Sequence, residues 1–248
     1  MSSSHSQRES FVEKRFWKLQ KAADRFRSFS PRTLRRLIKT SLALACLALF
    51  FKLGTSIQAG GLLPQAWQAV DESILSYIGT HLRSPQWDFM VLDLSSLGGL
   101  AVTVTICVVA AILLILTRDP AAAVHLGLVS FGGFKIAGWA KTLFDRPRPN
   151  LVPKLIQVGG MSFPSGHAVT ASAIYLTLAI LAARHFKSVA SRFTLFLLAG
   201  LLILVVAFSR VYMGVHYPSD VLSGALLGSA WALFMGALFS RHLPRHSN

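Results

Sequence analysis

Charge is scarce in this chain. Only 14% of its 248 residues are Asp, Glu, Lys or Arg, where a soluble domain usually carries about a quarter. Acidic residues are scarcest, ten against twenty-five Lys and Arg. Cysteine is nearly absent. Cys46 and Cys107 both sit inside apolar runs, which argues against a disulfide framework and against a cysteine-based zinc site. Strict alternation of apolar and polar residues is missing too: a run such as LAVTVTICVVAAILLILT does not carry the period-two signature of a transmembrane barrel. No internal repeat or low-complexity segment is present. What the chain does have is apolar length. It is 53% hydrophobic, with repeated runs near the ~20 residues that cross a bilayer core. Since lipid admits only helices and closed barrels, these features predict an all-α, polytopic membrane protein.

The formal charge of +15 does not point to nucleic acid. Eleven Lys and Arg lie between Arg8 and Lys39, and no nucleic-acid-binding signature accompanies them. A basic segment beside a span marks the cytoplasmic side and meets anionic lipid. Within it, Val12, Phe16, Leu19, Ala23 and Phe26 recur at helical spacing, so residues 1–36 read as a basic amphipathic arm on the inner leaflet. Its length exceeds the basic region of a cleaved secretory signal.

Six spans are expected, near 37–57, 92–117, 121–140, 165–183, 193–211 and 219–240, with a short tail at 241–248. Trp67, Val70, Ile74 and Ile78 mark a second interfacial helix between the first two. Six spans put both termini on one side. With that side cytoplasmic, seventeen of the twenty-five Lys and Arg lie inside, as the positive-inside rule requires. Lys52 and Lys135 read as snorkelling side chains, Arg83 and Lys154 as ordinary loop charges. The short loops fit a bacterial inner membrane. In this topology residues 141–149, the start of the fourth span and residues 209–220 all emerge on the outer, periplasmic or extracellular face.

Those three segments carry the chemistry. KTLFDRPRPN holds Lys141, Arg146 and Arg148, a set of cations suited to phosphate, stiffened by prolines. Alone it also reads as an interface anchor. FPSGHAVT begins a helix at Pro164, Ser165 and Gly166; free N–H groups of Ser165, Gly166 and His167 would form an anion site there. Alone it also reads as a helix cap. SRVYMGVHYPSD brings His216 and Asp220 together at the start of the last span. A carboxylate on one ring nitrogen fixes the tautomer and leaves the other nitrogen as a nucleophile or base. One His and one Asp among cations are too few ligands for a metal. Three such coincidences on one face favour a phosphate-handling site over three separate structural roles.

Lys141-x6-Arg148-Pro149, Pro164-Ser165-Gly166-His167 and Ser209-Arg210-x5-His216-x3-Asp220 together resemble the three-part signature of the type 2 phosphatidic acid phosphatase family, in order and with its internal spacings intact. The resemblance implies a lipid phosphatase with no cofactor and no metal. It implies that His216 attacks phosphorus, Asp220 orients His216, and His167 protonates the leaving oxygen and then activates water. It implies that Lys141, Arg148, Arg210, Ser165 and Gly166 hold the phosphoryl oxygens, with Arg146 a possible accessory contact. The expected partners are a lipid phosphate substrate and membrane lipids, not nucleic acid. Polyprenyl diphosphate, phosphatidylglycerol phosphate, phosphatidic acid and a lipid A phosphate are all candidates. Phosphotransfer to another acceptor would share the intermediate, and a non-catalytic anionic-lipid transporter or scaffold is the reading from another class. Oligomeric state is left open.

Overall fold

The computed structural model describes Trp17, residues 30–58 and residues 62–241. Apart from Trp17, the amphipathic helix expected in the basic arm lies outside the described residues, as does the tail beyond 241. The chain divides into two compact units, Met1–Ile38 and Lys39–Asn248.

Among the described residues beyond Trp17, eight α-helices follow in order: α1 Pro31–Gln58, α2 Leu62–Tyr77, α3 Pro85–Ser96, α4 Leu100–Leu116, α5 Pro120–Phe144, α6 Gly166–Ala182, α7 Val189–Tyr212 and α8 Pro218–Leu238. Among the described residues there is no strand, so the expected all-α class stands. Proline opens α1, α3, α5 and α8, where its missing N–H costs nothing and its fixed φ suits the first turn. Among the described residues five helices are long and apolar enough to cross a membrane, and the bent pair α3–α4 makes a sixth candidate.

That pair departs from expectation. A continuous second span gives way to two helices meeting at 44° across Leu97, Gly98 and Gly99. A Cβ on Gly98 would lie 2.5 Å from Val206 and 3.1 Å from the His167 carbonyl, so the break lets the chain approach the start of α6. The carbonyls it frees are re-bonded, Leu97 to the Tyr175 hydroxyl at 2.6 Å and Gly98 to Thr170 at 3.0 Å. Irregular backbone at membrane depth requires such partners.

The central helix is α6, buried on most of its faces. It meets α8 closely because α8 offers glycines. A Cβ on Gly224 would be 2.6 Å from the Ser165 carbonyl, and one on Gly228 2.2 Å from the Val169 carbonyl. Small residues at a crossing let backbones touch, which is how helices associate where lipid removes the usual hydrophobic drive. Beside this crossing Phe50, Phe144 and Phe163 pack ring against ring, with centroids 4.9–5.9 Å apart. Phe163 thereby anchors the segment that leads into α6. The Phe163–Pro164 peptide is cis.

Helix α2 is amphipathic in the inverted sense. Trp67, Val70, Ile74 and Tyr77 are exposed, whereas Asp71 and Leu75 are buried. The apolar face points away from the protein, as suits a helix whose solvent is the lipid interface. Ile78, expected on that face, is buried instead in a π-helical turn, Ile78–Leu82.

Candidate active site

Four chain segments meet at one end of the bundle: the end of α5 with the 145–165 connection, the start of α6, the end of α7 with its following turn, and the start of α8. The sequence-predicted residues come together there, with two exceptions in how they point.

Lys141 sits in the last turn of α5 and donates to the Met161 carbonyl at 2.6 Å. Asp145 then takes a left-handed conformation, φ 41°, and the chain leaves the helix through Arg146-Pro147-Arg148-Pro149. Arg148 is half-buried. It donates to the carbonyls of Gly159, Gly160 and Val215, and its Nη1 lies 3.2 Å from His216 Nε2. One guanidinium thus fastens two loops and faces the His216 ring, beside which it was expected to hold phosphoryl oxygens.

Arg146 is the first exception. Expected as an accessory phosphate or headgroup contact, it is buried and turned inward. Its Nη1 donates to Ser219 Oγ and Asp220 Oδ1 at 2.7 and 2.8 Å, and its Nη2 to Gln68 and Asp71, both at 2.8 Å. The guanidinium also lies 4.1 Å over the Tyr217 ring. Two carboxylates outcompete a solvent-facing anion for such a cation.

Ser165 is the second. Its N–H, expected to be free for an anion, donates to the Asp220 carbonyl at 3.0 Å, a consequence of the tight α6–α8 crossing. Gly166 and His167 lie in the first turn of α6, where N–H groups have no acceptor within the helix. The buried Ser165 hydroxyl has no protein partner, so it is poised for one from outside the chain.

His167 is half-buried at this helix start, and the charges of Arg210, Arg148 and Lys141 act on it together with the His216 ring. Arg210, 3% exposed, closes the site from α7. Its Nη1 donates to Ser95 Oγ at 2.8 Å, and its buried Nε has no protein partner.

His216 lies in the turn between α7 and α8, 2% exposed. Its Nδ1 is 3.5 Å from Asp220 Oδ2 and 3.4 Å from Ser162 Oγ. The Ser162 hydroxyl donates to that same carboxylate oxygen at 2.5 Å, and the Tyr217 N–H adds a bond at 2.9 Å. With the serine proton committed to Asp220, both oxygens facing Nδ1 are acceptors. The imidazole is therefore assigned its proton at Nδ1, leaving the Nε2 lone pair facing Arg148. Burial, joined by the charges of Arg148 and Arg210 and opposed by Asp220, pushes the His216 pKa down to about 4. The ring is neutral at physiological pH.

Sequence reasoning missed four contributors. Ser162 stands between His216 and Asp220. Ser95 holds Arg210. Asp71, 1% exposed, accepts from Arg146, from the Ser219 N–H at 2.9 Å and from the Ser219 hydroxyl. Arg83, read as a loop charge, donates to the carbonyls of Tyr212 (2.6 Å) and Pro153, and so caps α7 where the His216 turn begins. Asp71 alone left a signal, a carboxylate on an amphipathic helix in a chain poor in acid. Lys135 stays outside the cluster, lying 5.5 Å from the Phe131 ring on its own helix.

Residues 121–243 match the family model of the PAP2 superfamily. Phosphatidylglycerophosphatase B of Bacillus subtilis (strain 168) is 29% identical over 174 residues, 69% of this chain and 84% of that protein. Undecaprenyl-diphosphatase of Sulfolobus acidocaldarius is 38% identical over 74 residues, 30% of this chain and 31% of that one. A crystal structure of a transmembrane PAP2-type phosphatidylglycerolphosphate phosphatase from Bacillus subtilis superposes with a TM-score of 0.73 at 24% identity, covering 83% of this chain and 98% of the other. It shares the fold. With its three motifs assembled at one end of a helical membrane bundle, the chain belongs, through residues 121–243, to the PAP2 superfamily and is a multi-span membrane phosphatase.

Proposed function

We propose that this phosphatase removes a phosphoryl group from a phosphate monoester or diphosphate carried on a lipid, at the outer face of the membrane, through a phosphohistidine intermediate. The observation that carries the reading is the state of His216: Nδ1 faces Asp220 and Ser162, while Nε2 faces Arg148. A buried neutral imidazole held by one nitrogen is a nucleophile at the other.

In the first step the Nε2 lone pair forms a bond to phosphorus as the bond to the leaving oxygen breaks. Protonated His167 gives that oxygen its proton. In the second, neutral His167 takes a proton from water, whose oxygen attacks phosphorus and breaks the P–N bond, releasing phosphate and restoring His216. Lys141, Arg148 and Arg210 neutralise the equatorial oxygens, with the Gly166 and His167 N–H groups and the Ser165 hydroxyl beside them. Phosphoryl transfer depends on such positioning and charge neutralisation. Asp220 keeps the His216 ring oriented as it acquires charge.

The site lies at helix ends, so a lipid can present its headgroup while its tails stay in the bilayer. The relatives' names support this substrate class: one names phosphatidylglycerophosphate, the other undecaprenyl diphosphate. The distribution of Lys and Arg supports cytoplasmic termini and an outward site in an inner membrane. Residues 37–240 then form the catalytic unit and 1–36 a cytoplasmic basic arm.

Phosphate release from a panel of lipid phosphates in detergent tests the reading, with chelator present throughout. Wild type should release phosphate and form an acid-labile phosphoenzyme. His216→Ala should lose at least ~10³-fold in kcat. Equal rates for the two proteins would reject the mechanism.

A further inference from the structure

Asp71 is a buried carboxylate beside the site that the mechanism above does not use. We propose that Asp71 is a positioning residue for phosphoryl transfer: through Arg146 and Ser219 it holds Asp220 where that carboxylate can orient His216. The proposal rests on the reading of His216 as the nucleophile.

Arg146 divides its two terminal nitrogens between two carboxylates. Nη1 takes Asp220 Oδ1 and Nη2 takes Asp71 Oδ2, each at 2.8 Å. Asp220 consequently spends only Oδ1 on the arginine, and Oδ2 is left for Ser162, the Tyr217 N–H and His216. A guanidinium prefers a carboxylate bidentately. Without Asp71, Arg146 would be free to claim both Asp220 oxygens, and the contact to His216, already 3.5 Å long, would be the one to yield.

Asp71 also holds the helix that carries Asp220. It accepts from the N–H and hydroxyl of Ser219, the residue just before Asp220 in the first turn of α8. A carboxylate there is favoured by the unpaired N–H groups and the helix dipole. One side chain of α2 thus fixes the start of α8 and the arginine against it.

Stability alone is a poor reason for such a network. Burying two carboxylates and a guanidinium costs desolvation, and apolar replacements of similar volume are often as stable. Helix α2 already has Leu75 buried on its inward side and an apolar outer face. A carboxylate with 1% exposure in a chain with ten acidic residues is better explained by what it aligns.

The test uses the full-length protein in detergent, with phosphatidic acid in mixed micelles and p-nitrophenyl phosphate as probes. Asp71→Asn should lower kcat by about 10- to 100-fold, the scale of a charged hydrogen bond expressed in the transition state, with KM within about threefold. The amplitude of phosphoenzyme formation per mole of protein should stay near that of wild type while its rate falls. In an Asp220→Asn background the same change should cost less than about threefold, because the residue it acts through has already lost its charge. A purely structural role predicts the opposite: reduced amplitude, an unchanged rate and equal losses in both backgrounds. Either that pattern or an undiminished kcat in Asp71→Asn overturns the proposal. Should Asp71→Asn not accumulate, Ser219→Ala, which removes the hydroxyl shared by Asp71 and Arg146, must lower the phosphoenzyme rate in the same direction, and an unchanged rate overturns it. Failure of the underlying reading looks different, since His216→Ala would then still form phosphoenzyme or release phosphate.

Discussion

Asp220→Asn preserves the shape of a fully buried side chain and removes its charge. In the proposed first step His216 becomes a phosphorylated imidazolium, and Asp220 Oδ2 lies 3.5 Å from its Nδ1. Two opposite unit charges at that distance attract by about 5 kcal/mol at an effective dielectric near 20. Asparagine keeps an oxygen that can still accept from Ser162 or Tyr217, so about 3–4 kcal/mol should be lost from the transition state, ~10²–10³ in kcat. Folding should suffer separately, because Arg146 gives up a charged hydrogen bond and keeps only Asp71 as an anionic partner, at about 1.5–3 kcal/mol. Initial rates of phosphate release at saturating lipid phosphate report the first effect, and the thermal midpoint in the same detergent reports the second. Because the two are measured apart, a destabilised but folded variant does not confuse them. A folded Asp220→Asn protein with kcat within about tenfold of wild type would refute the electrostatic account of this pair.

Two more outcomes follow from the geometry. The His216 pKa, held near 4 in the fold by burial against about 6.5 in an unfolded chain, makes the unfolded state bind more protons between those values. Its share of stability should be complete above pH 6.5 and fade as pH falls towards 4; melts of wild type and His216→Gln across that window should converge towards acid, and parallel curves would contradict the burial argument. Gly228→Ala places a Cβ 2.2 Å from the Val169 carbonyl and should cost about 1–3 kcal/mol by overpacking, with activity falling too as the start of α6 shifts. Gly200→Ala, where nothing lies within 4 Å, is the matched control and should leave the melting temperature unchanged.

Much of the fold was legible because lipid imposes simple rules. Apolar length marks a span, proline marks a helix start, and the boundaries of α5, α7 and α8 lie within a few residues of those expected. The α3–α4 break was less legible. Gly98-Gly99 sits in an otherwise helical run, and its free carbonyls find partners on α6, about seventy residues further along the chain. The same distance hid Arg146. By type and spacing it is indistinguishable from Arg148, yet it bonds inward to residues 73 to 78 positions away.

From sequence alone came the class of the protein, the end of the bundle that carries its chemistry, and Lys141, Arg148, Ser165, Gly166, His167, Arg210, His216 and Asp220 as its candidate residues. The class and the end follow from hydropathy and topology, the residues from local chemistry together with the resemblance of the three motifs to a known family. Tertiary structure decided how those residues are held: Ser162 between His216 and Asp220, Ser95 on Arg210, Arg83 on the turn before His216, and Asp71 on Arg146. A hydrogen bond needs a partner within about 3 Å. Which distant side chain arrives there is set by how helices cross, and the pattern of one segment does not say which other segment it meets.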